Sequence, residues 1–246
     1  MTIDINKNYA EFKKYLKAYI TRDGIDNFIT WLDTTDFKTA PASAKYNLNV
    51  EGGLCQHSTD TFLMLIKLCG ATDTIKIYSK ETIAIVSLLH DIGKVGMYRK
   101  EIKNVKVEGR WTEQEVYGYN DAVSWDYFGD PAENSLYVLS KFFKLTRAEE
   151  IAIRFHNGAF GVGSENSAKV SHMFSINALS TLLHSAELIS TYVTESETAA
   201  TPLYDLSVEI PKEEAAEVKE QVEERKVEDD KQNNTTATEV VDDCPF

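Results

Sequence analysis

Leu88-Leu89-His90-Asp91-Ile92-Gly93-Lys94 is the stretch on which the reading of this chain turns. The apolar run from Ile83 to Leu89 predicts a helix that delivers an imidazole and a carboxylate side by side before Gly93 breaks it. Adjacent His and Asp at a helix end can bind one metal ion, the first through nitrogen and the second through oxygen. Lys94 follows three residues after Asp91, close enough to meet an anion drawn to that ion. A buried His bonded to its neighbour needs no metal, so the pair gains its meaning from the rest of the chain.

Immediately upstream, Ser79 is placed to cap the same helix, with Glu81 in its first turn. Before that, Glu51-Gly52-Gly53-Leu54 gives the backbone freedom to turn tightly. A helix then opens at Gln56-His57-Ser58 and runs through Phe62, Leu65 and Leu68 to Gly70, with His57 in its first turn. At the N-terminus, Tyr9, Phe12, Leu16, Tyr19 and Ile20 outline a helix over 6–22, and Ile25, Phe28, Ile29 and Leu32 outline a second. Downstream, Val105 to Trp111 alternates around Gly109 and predicts a small β-hairpin. Such an insertion is either a rigid surface feature or a wall over the metal site, with an aromatic ring placed to stack on a base. A helix is expected over 133–144, and Thr146 with Glu149 forms a capping box that opens the next, through His156 to Gly158. A long helix from about Phe174 to Thr194 carries Glu187 in an apolar window, costly unless something pairs with it.

Hydrophobic residues make up 43% of the 246, enough for one good-sized core. The formal charge of −13 is concentrated: from Asp205 onward fourteen acids face five bases, which leaves the body at −4. The acidity therefore does not argue against a nucleotide-binding body. Cys55, Cys69 and Cys244 show no paired framework, which points to a reducing compartment. The opening residues lack the layout of a secretion signal, and no apolar run approaches the roughly 18–20 residues that span a membrane. A soluble, cytoplasmic protein is expected, with a helical domain over 1–195 and a disordered acidic tail over 196–246 that cannot supply a core.

His57, His90, Asp91 and Glu187 stand out as four candidate ligands from three helices, with His156 a fifth. Two imidazoles and two carboxylates suit Mn²⁺, Mg²⁺, Fe²⁺, Co²⁺ or Zn²⁺ and leave room for water. Such an ion acidifies water and polarises a phosphoryl oxygen. Lys94 and Arg154 are candidates to bind phosphate oxygens. His172 and His184 read as structural, and Cys55 and Cys69 as packing.

The order His57…His90-Asp91…Glu187 on a helical body resembles the HD-domain metal-dependent phosphohydrolases, in particular a branch common in phages and their bacterial hosts. Pro41-Ala42-Ser43, Glu51 to Leu54 with His57-Ser58, His90 to Lys94, and Phe155-His156 carry the resemblance, which spans roughly 6–194. It implies an all-α HD-domain bundle and hydrolysis of a phosphoester or phosphoanhydride bond of a nucleotide. It further implies His57, His90, Asp91 and Glu187 as ligands, with Asp91 orienting water and Lys94 neutralising phosphate. Two departures stand. Glu187 replaces the usual Asp, and Gly129 to Ser135 lacks a histidine that two-metal relatives use, so either Asp130 substitutes or there is one metal. One metal is the favoured reading, with His156 as a catalytic acid/base or phosphate contact.

The last residues, Asp242, Asp243, Cys244, Pro245 and Phe246, resemble the tip of bacterial single-stranded-DNA-binding proteins. That resemblance implies docking of Asp242, Asp243, Pro245 and Phe246 on replication or recombination proteins that recognise such tips, the ring entering an apolar pocket rimmed by bases. Two rivals to the nucleotidase remain: a phosphodiesterase of cyclic nucleotides or nucleic-acid ends, and a catalytically silent binding module tethered by its tail.

Overall fold

The computed structural model describes residues 3–107, 109–121, 130–160 and 166–196. They belong to the first of the two units into which the chain divides, Met1–Ala200. This unit is mostly helical, with one two-stranded antiparallel hairpin. Among the described residues no helix is long and apolar enough to cross a membrane.

Helix α1 (Ile5–Tyr19) starts at Asp4, whose carboxylate accepts from the Lys7 amide at 3.1 Å, and buries Tyr9, Phe12 and Leu16. Helix α2 (Ile25–Leu32) buries Phe28, Ile29 and Leu32. The predicted turn before α3 (Gly53–Ala71) has a steric basis: a Cβ on Gly53 would stand 2.1 Å from the Leu48 carbonyl oxygen. Ser79 caps α4 (Lys80–Leu88), accepting from the Thr82 amide at 3.0 Å. Helix α3 packs against α4 and α8 (Ala178–Ile189), α6 (Arg147–Phe155) packs against α8, and the buried faces of α1 and α2 join them in one core.

The hairpin is longer than the alternation suggested. Strands β1 (Tyr98–Val107) and β2 (Arg110–Tyr119) pair from Tyr98–Tyr119 to Val107–Arg110, and all but a few of their residues are exposed. Trp111, at 69% exposure, stands out in solvent, whereas Tyr98 at the hairpin's base is half-buried beside Lys94.

Helix α5 (Pro131–Ser140) begins two residues earlier than expected because Asp130 caps it, accepting from the Glu133 amide at 3.0 Å. The capping box of α6 (Arg147–Phe155) is complete, with both reciprocal bonds formed. The single long helix expected over 174–194 is instead α7 (Ser167–Ile176), α8 (Ala178–Ile189) and a π-helical turn over Ser190–Thr194. The break falls at Asn177, whose backbone is extended and whose amide donates to the Ala148 carbonyl (2.8 Å) and to Ser180 (2.9 Å). Asn offers local side-chain bonds that compete with the helix ladder, so an apolar periodicity continues through a real interruption.

Candidate metal centre

Helix α4 stops at Leu88, with Leu89 as its cap, so His90 and Asp91 sit just past the helix and lead into a 3-10 turn, Ile92–Lys94. Gly93 is required there for proximity rather than for flexibility. A Cβ at this position would lie 2.3 Å from the Pro131 carbonyl oxygen, and the Gly93 amide donates to Ser135 at 2.8 Å. The turn is thereby pinned to the start of α5, which fixes where His90 and Asp91 point.

His57 reaches them from α3. Its Nε2 lies 3.3 Å from His90 Nε2 and 3.7 Å from Asp91 Oδ2, while His90 Nε2 lies 3.5 Å from the same oxygen. His156, capping the C-terminus of α6, places its Nε2 3.5 Å from Asp91 Oδ1. All four side chains are at most 2% exposed. Ligand atoms of His57, His90 and Asp91 lie within 4.8 Å of one another, a grouping that can hold a metal ion. His156 joins Asp91 on its other oxygen.

Hydrogen bonding at the far side of each ring fixes what the near side offers. His90 Nδ1 is 2.7 Å from the Ser87 carbonyl and His156 Nδ1 is 2.7 Å from the Ile153 carbonyl. A carbonyl only accepts, so Nδ1 carries the proton in both rings and each neutral Nε2 presents a bare lone pair. His57 Nδ1 faces the Glu195 carboxylate at 3.1 and 3.2 Å, with Asn47 Nδ2 at 3.4 Å. Bare Nε2 lone pairs therefore crowd around a carboxylate. Asp91 Oδ1 and His156 Nε2 are buried without any hydrogen-bond partner. Orphaned buried acceptors of this kind are costly, and a cation among the lone pairs of His57, His90 and Asp91 would offset part of that cost. The residues present fit a divalent ion.

Charge is balanced on one flank by Lys94, whose Nζ donates to Asp91 Oδ2 at 2.7 Å and to the Ala42 carbonyl at 3.0 Å. Burial alone would push the Asp91 carboxyl up, but the Lys94 ammonium beside it outweighs burial and holds it well below the usual carboxylate range. Burial likewise works against the Lys94 ammonium, yet Asp91 outweighs it and the pKa is raised. His90 is lowered by burial, whereas for His57 the bond to Glu195 overcomes burial and raises it. The Glu195 carboxyl is lowered despite burial, chiefly by His57. Burial pushes neighbouring Asp60 up to about 6.

Several expected site residues stand elsewhere. Glu187 does not join the ligand group. It is half-buried on α8, about one turn after the buried Leu183, and its carboxylate acts as a minor attraction on Lys94. Arg154 does not reach the cluster either, because its guanidinium binds Asp130 at 2.9 Å and Glu133 at 2.6 Å. Asp130 is thus engaged as cap and ion-pair partner rather than as a spare oxygen ligand. His184 buttresses the site, its Nδ1 2.5 Å from the His156 carbonyl, and His172 is exposed. Asp242, Asp243, Pro245 and Phe246 lie outside the described residues.

Two participants had no sequence signal: Asn47 and Glu195. Asn47 comes from the irregular segment after Pro41-Ala42-Ser43, where Ser43 Oγ bonds both the Tyr46 amide (2.8 Å) and the Asn47 carbonyl (3.0 Å). A cleft of about 610 Å³, lined by residues 46–50 and 191–192 and 194–196, opens onto this pair. The chain matches no protein-family model, no curated protein and no solved structure.

Proposed function

We propose that this chain is an HD-type metal-dependent phosphohydrolase acting on a phosphoester or phosphoanhydride bond of a nucleotide. The observation that carries this reading is the convergence of His57 from α3 with His90 and Asp91 from the turn after α4, all buried, with imidazole lone pairs turned toward one carboxylate. His57 Nε2, His90 Nε2 and Asp91 would hold the ion. His156 Nε2 is the nearest further donor, and Glu187 would have to swing in to serve as the fourth ligand expected of this family. When bound, a divalent cation polarises a phosphoryl oxygen and makes water acidic near neutral pH. Lys94 keeps its charge beside Asp91 and offers it to phosphate oxygens as substrate enters. His156, protonated at Nδ1 toward Ile153, can accept a proton at Nε2.

The test is elemental analysis of the purified full chain, then assay against a panel of nucleoside mono- and triphosphates, cyclic nucleotides and short oligonucleotides with Mn²⁺. About one equivalent of divalent cation and turnover of a nucleotide are expected. Turnover of cyclic nucleotides or oligonucleotides alone would make the enzyme a phosphodiesterase. A bound cation with no turnover would leave the silent binding module, and no bound cation would end the reading.

The acidic tip belongs to the same proposal as a tether to replication or recombination proteins, supported by the sequence Asp242-Asp243-Cys244-Pro245-Phe246. Deleting these five residues should abolish binding to a protein that recognises single-stranded-DNA-binding-protein tips, measured by calorimetry. Undiminished binding would remove the tether.

A further inference from the structure

Three imidazoles face Asp91, and two of them are held from behind by neutral main-chain carbonyls within their own turn. The third is held differently. His57 has a carboxylate behind it, delivered from 138 residues along the chain, with both oxygens near Nδ1 at 3.1 and 3.2 Å. The Glu195 side chain is only 2% exposed, and among the described residues no Lys or Arg pairs with it. Its neighbours are the ring of His57, the amide of Asn47 and the carboxyl of Asp60. A carboxylate is buried at such cost only where its partners need it.

The backbone leading to Glu195 is unusual in the same direction. After α8 the chain makes a π-helical turn, closed by the Glu195 amide donating to the Ser190 carbonyl at 2.9 Å. Adding one residue to a helical turn rotates the residues beyond it by about 100° relative to a continuous α-helix. Without that rotation position 195 would not face the Nδ1 edge of His57. Asn47 Nδ2 donates to the same carboxylate that faces His57 Nδ1, so Glu195 is held between two donors rather than merely nearby.

We propose that Glu195, clamped by Asn47, is the positioning residue of the cation site: it holds the proton of His57 on Nδ1 and aims a bare Nε2 at Asp91. A carboxylate behind a ligating imidazole fixes its tautomer and ring orientation and strengthens it as a donor, and loss of such a partner costs about 10–100-fold in metal affinity. Glu195 touches neither substrate nor ion in this role. The consequence for affinity rests on the cation reading above, whereas the tautomer of His57 does not.

The experiment uses the full chain as wild type, Glu195→Ala and Glu195→Gln. Two readouts are taken: long-range ¹H–¹⁵N correlation of the imidazoles in metal-free protein, and calorimetric titration with Mn²⁺. In the wild type, at a pH high enough for the ring to be neutral, His57 should show a protonated Nδ1 and an unprotonated Nε2. Glu195→Ala should lose that single tautomer and bind Mn²⁺ about 10–100-fold more weakly, with the His90 and His156 signals unchanged. Glu195→Gln keeps an acceptor without the charge, so the tautomer should persist with a smaller loss of affinity; it also serves if the alanine variant folds poorly. An unchanged His57 tautomer together with wild-type affinity in both variants overturns the proposal. If the wild type binds no Mn²⁺ but the tautomer is lost in Glu195→Ala, the cation reading fails while the positioning role of Glu195 stands.

Discussion

Asp91→Asn should abolish cation binding and, in the same protein, unfold more readily than wild type even without any cation present. The reason is that one carboxylate is the counter-charge of Lys94 at 2.7 Å and the common neighbour of three imidazoles, His90 and His156 at 3.5 Å and His57 at 3.7 Å. Asparagine keeps the shape and removes the charge. Binding of Mn²⁺ should fall by more than the roughly hundredfold that loss of an outer partner can cause, because on the proposed reading Asp91 would itself be a ligand. Lys94 would keep only neutral acceptors, the Ala42 carbonyl and the new amide oxygen, and leaving a buried charge without its counter-charge costs about 3–5 kcal/mol. The low end, about 3 kcal/mol, applies here because the Lys94 side chain keeps 17% of its exposure to water.

The double variant Asp91→Asn with Lys94→Met separates the two effects. Removing both partners of a buried pair is often close to neutral, so metal-free stability should return to within about 1–2 kcal/mol of wild type. Cation binding should not return. Urea unfolding of the metal-free proteins and calorimetry with Mn²⁺ measure the two quantities independently. Equal destabilisation of the single and double variants would show that Lys94 is not what Asp91 neutralises. Retained binding in Asp91→Asn would remove Asp91 from the site.

Legibility in the sequence divides along how local each signal is. The Thr146–Glu149 capping box and the Ser79 cap are contained within four residues, and both are formed as expected. His90 and Asp91 were recognisable as polar residues closing an apolar run, and His57 from its place near a helix start and its order in the motif; the three meet. The boundaries were harder. Leu89 ends α4 one residue before His90 because the next turn is fastened to α5 through Gly93 and Ser135, a partner 42 residues away. Asn177 interrupts an apolar periodicity that continues on both sides, through side-chain bonds to Ala148 and Ser180 that no local pattern announces. Glu195 was least visible of all. It falls at the point where composition turns polar, and nothing local distinguishes it from the acids beyond; its role exists only once the π-turn brings it against His57.

Glu149→Gln should be the most destabilising single-atom change outside the cation site, because one buried carboxylate fastens three helix starts. Glu149 is fully buried. Its oxygens accept from Arg22 at 2.8 and 2.9 Å, from Thr82 Oγ1 at 2.9 Å and from the Thr146 amide at 2.8 Å. Arg22 lies between α1 and α2, Thr82 in the first turn of α4, and Thr146 caps α6. Burial pushes the Glu149 carboxyl up, but the bonds from Arg22, Thr146 and Thr82 outweigh it, and its pKa lies below the ordinary value. A depressed folded-state pKa means that the stabilisation is fully present above the unfolded value and is lost as pH falls through the folded one. At pH 7 Glu149→Gln should therefore lose about 3 kcal/mol, and Arg22→Met, which strands the charge, up to about 5 kcal/mol. Below about pH 4, the ordinary range for Glu, the gap between wild type and Glu149→Gln should narrow, since the wild type is then being protonated too. Urea unfolding at pH 7 and pH 3 reads the difference directly. A gap of the same size at both pH values would mean that Glu149 acts as a neutral cap for α6 alone, and that the ion pair with Arg22 contributes nothing to holding α4 and α6 together.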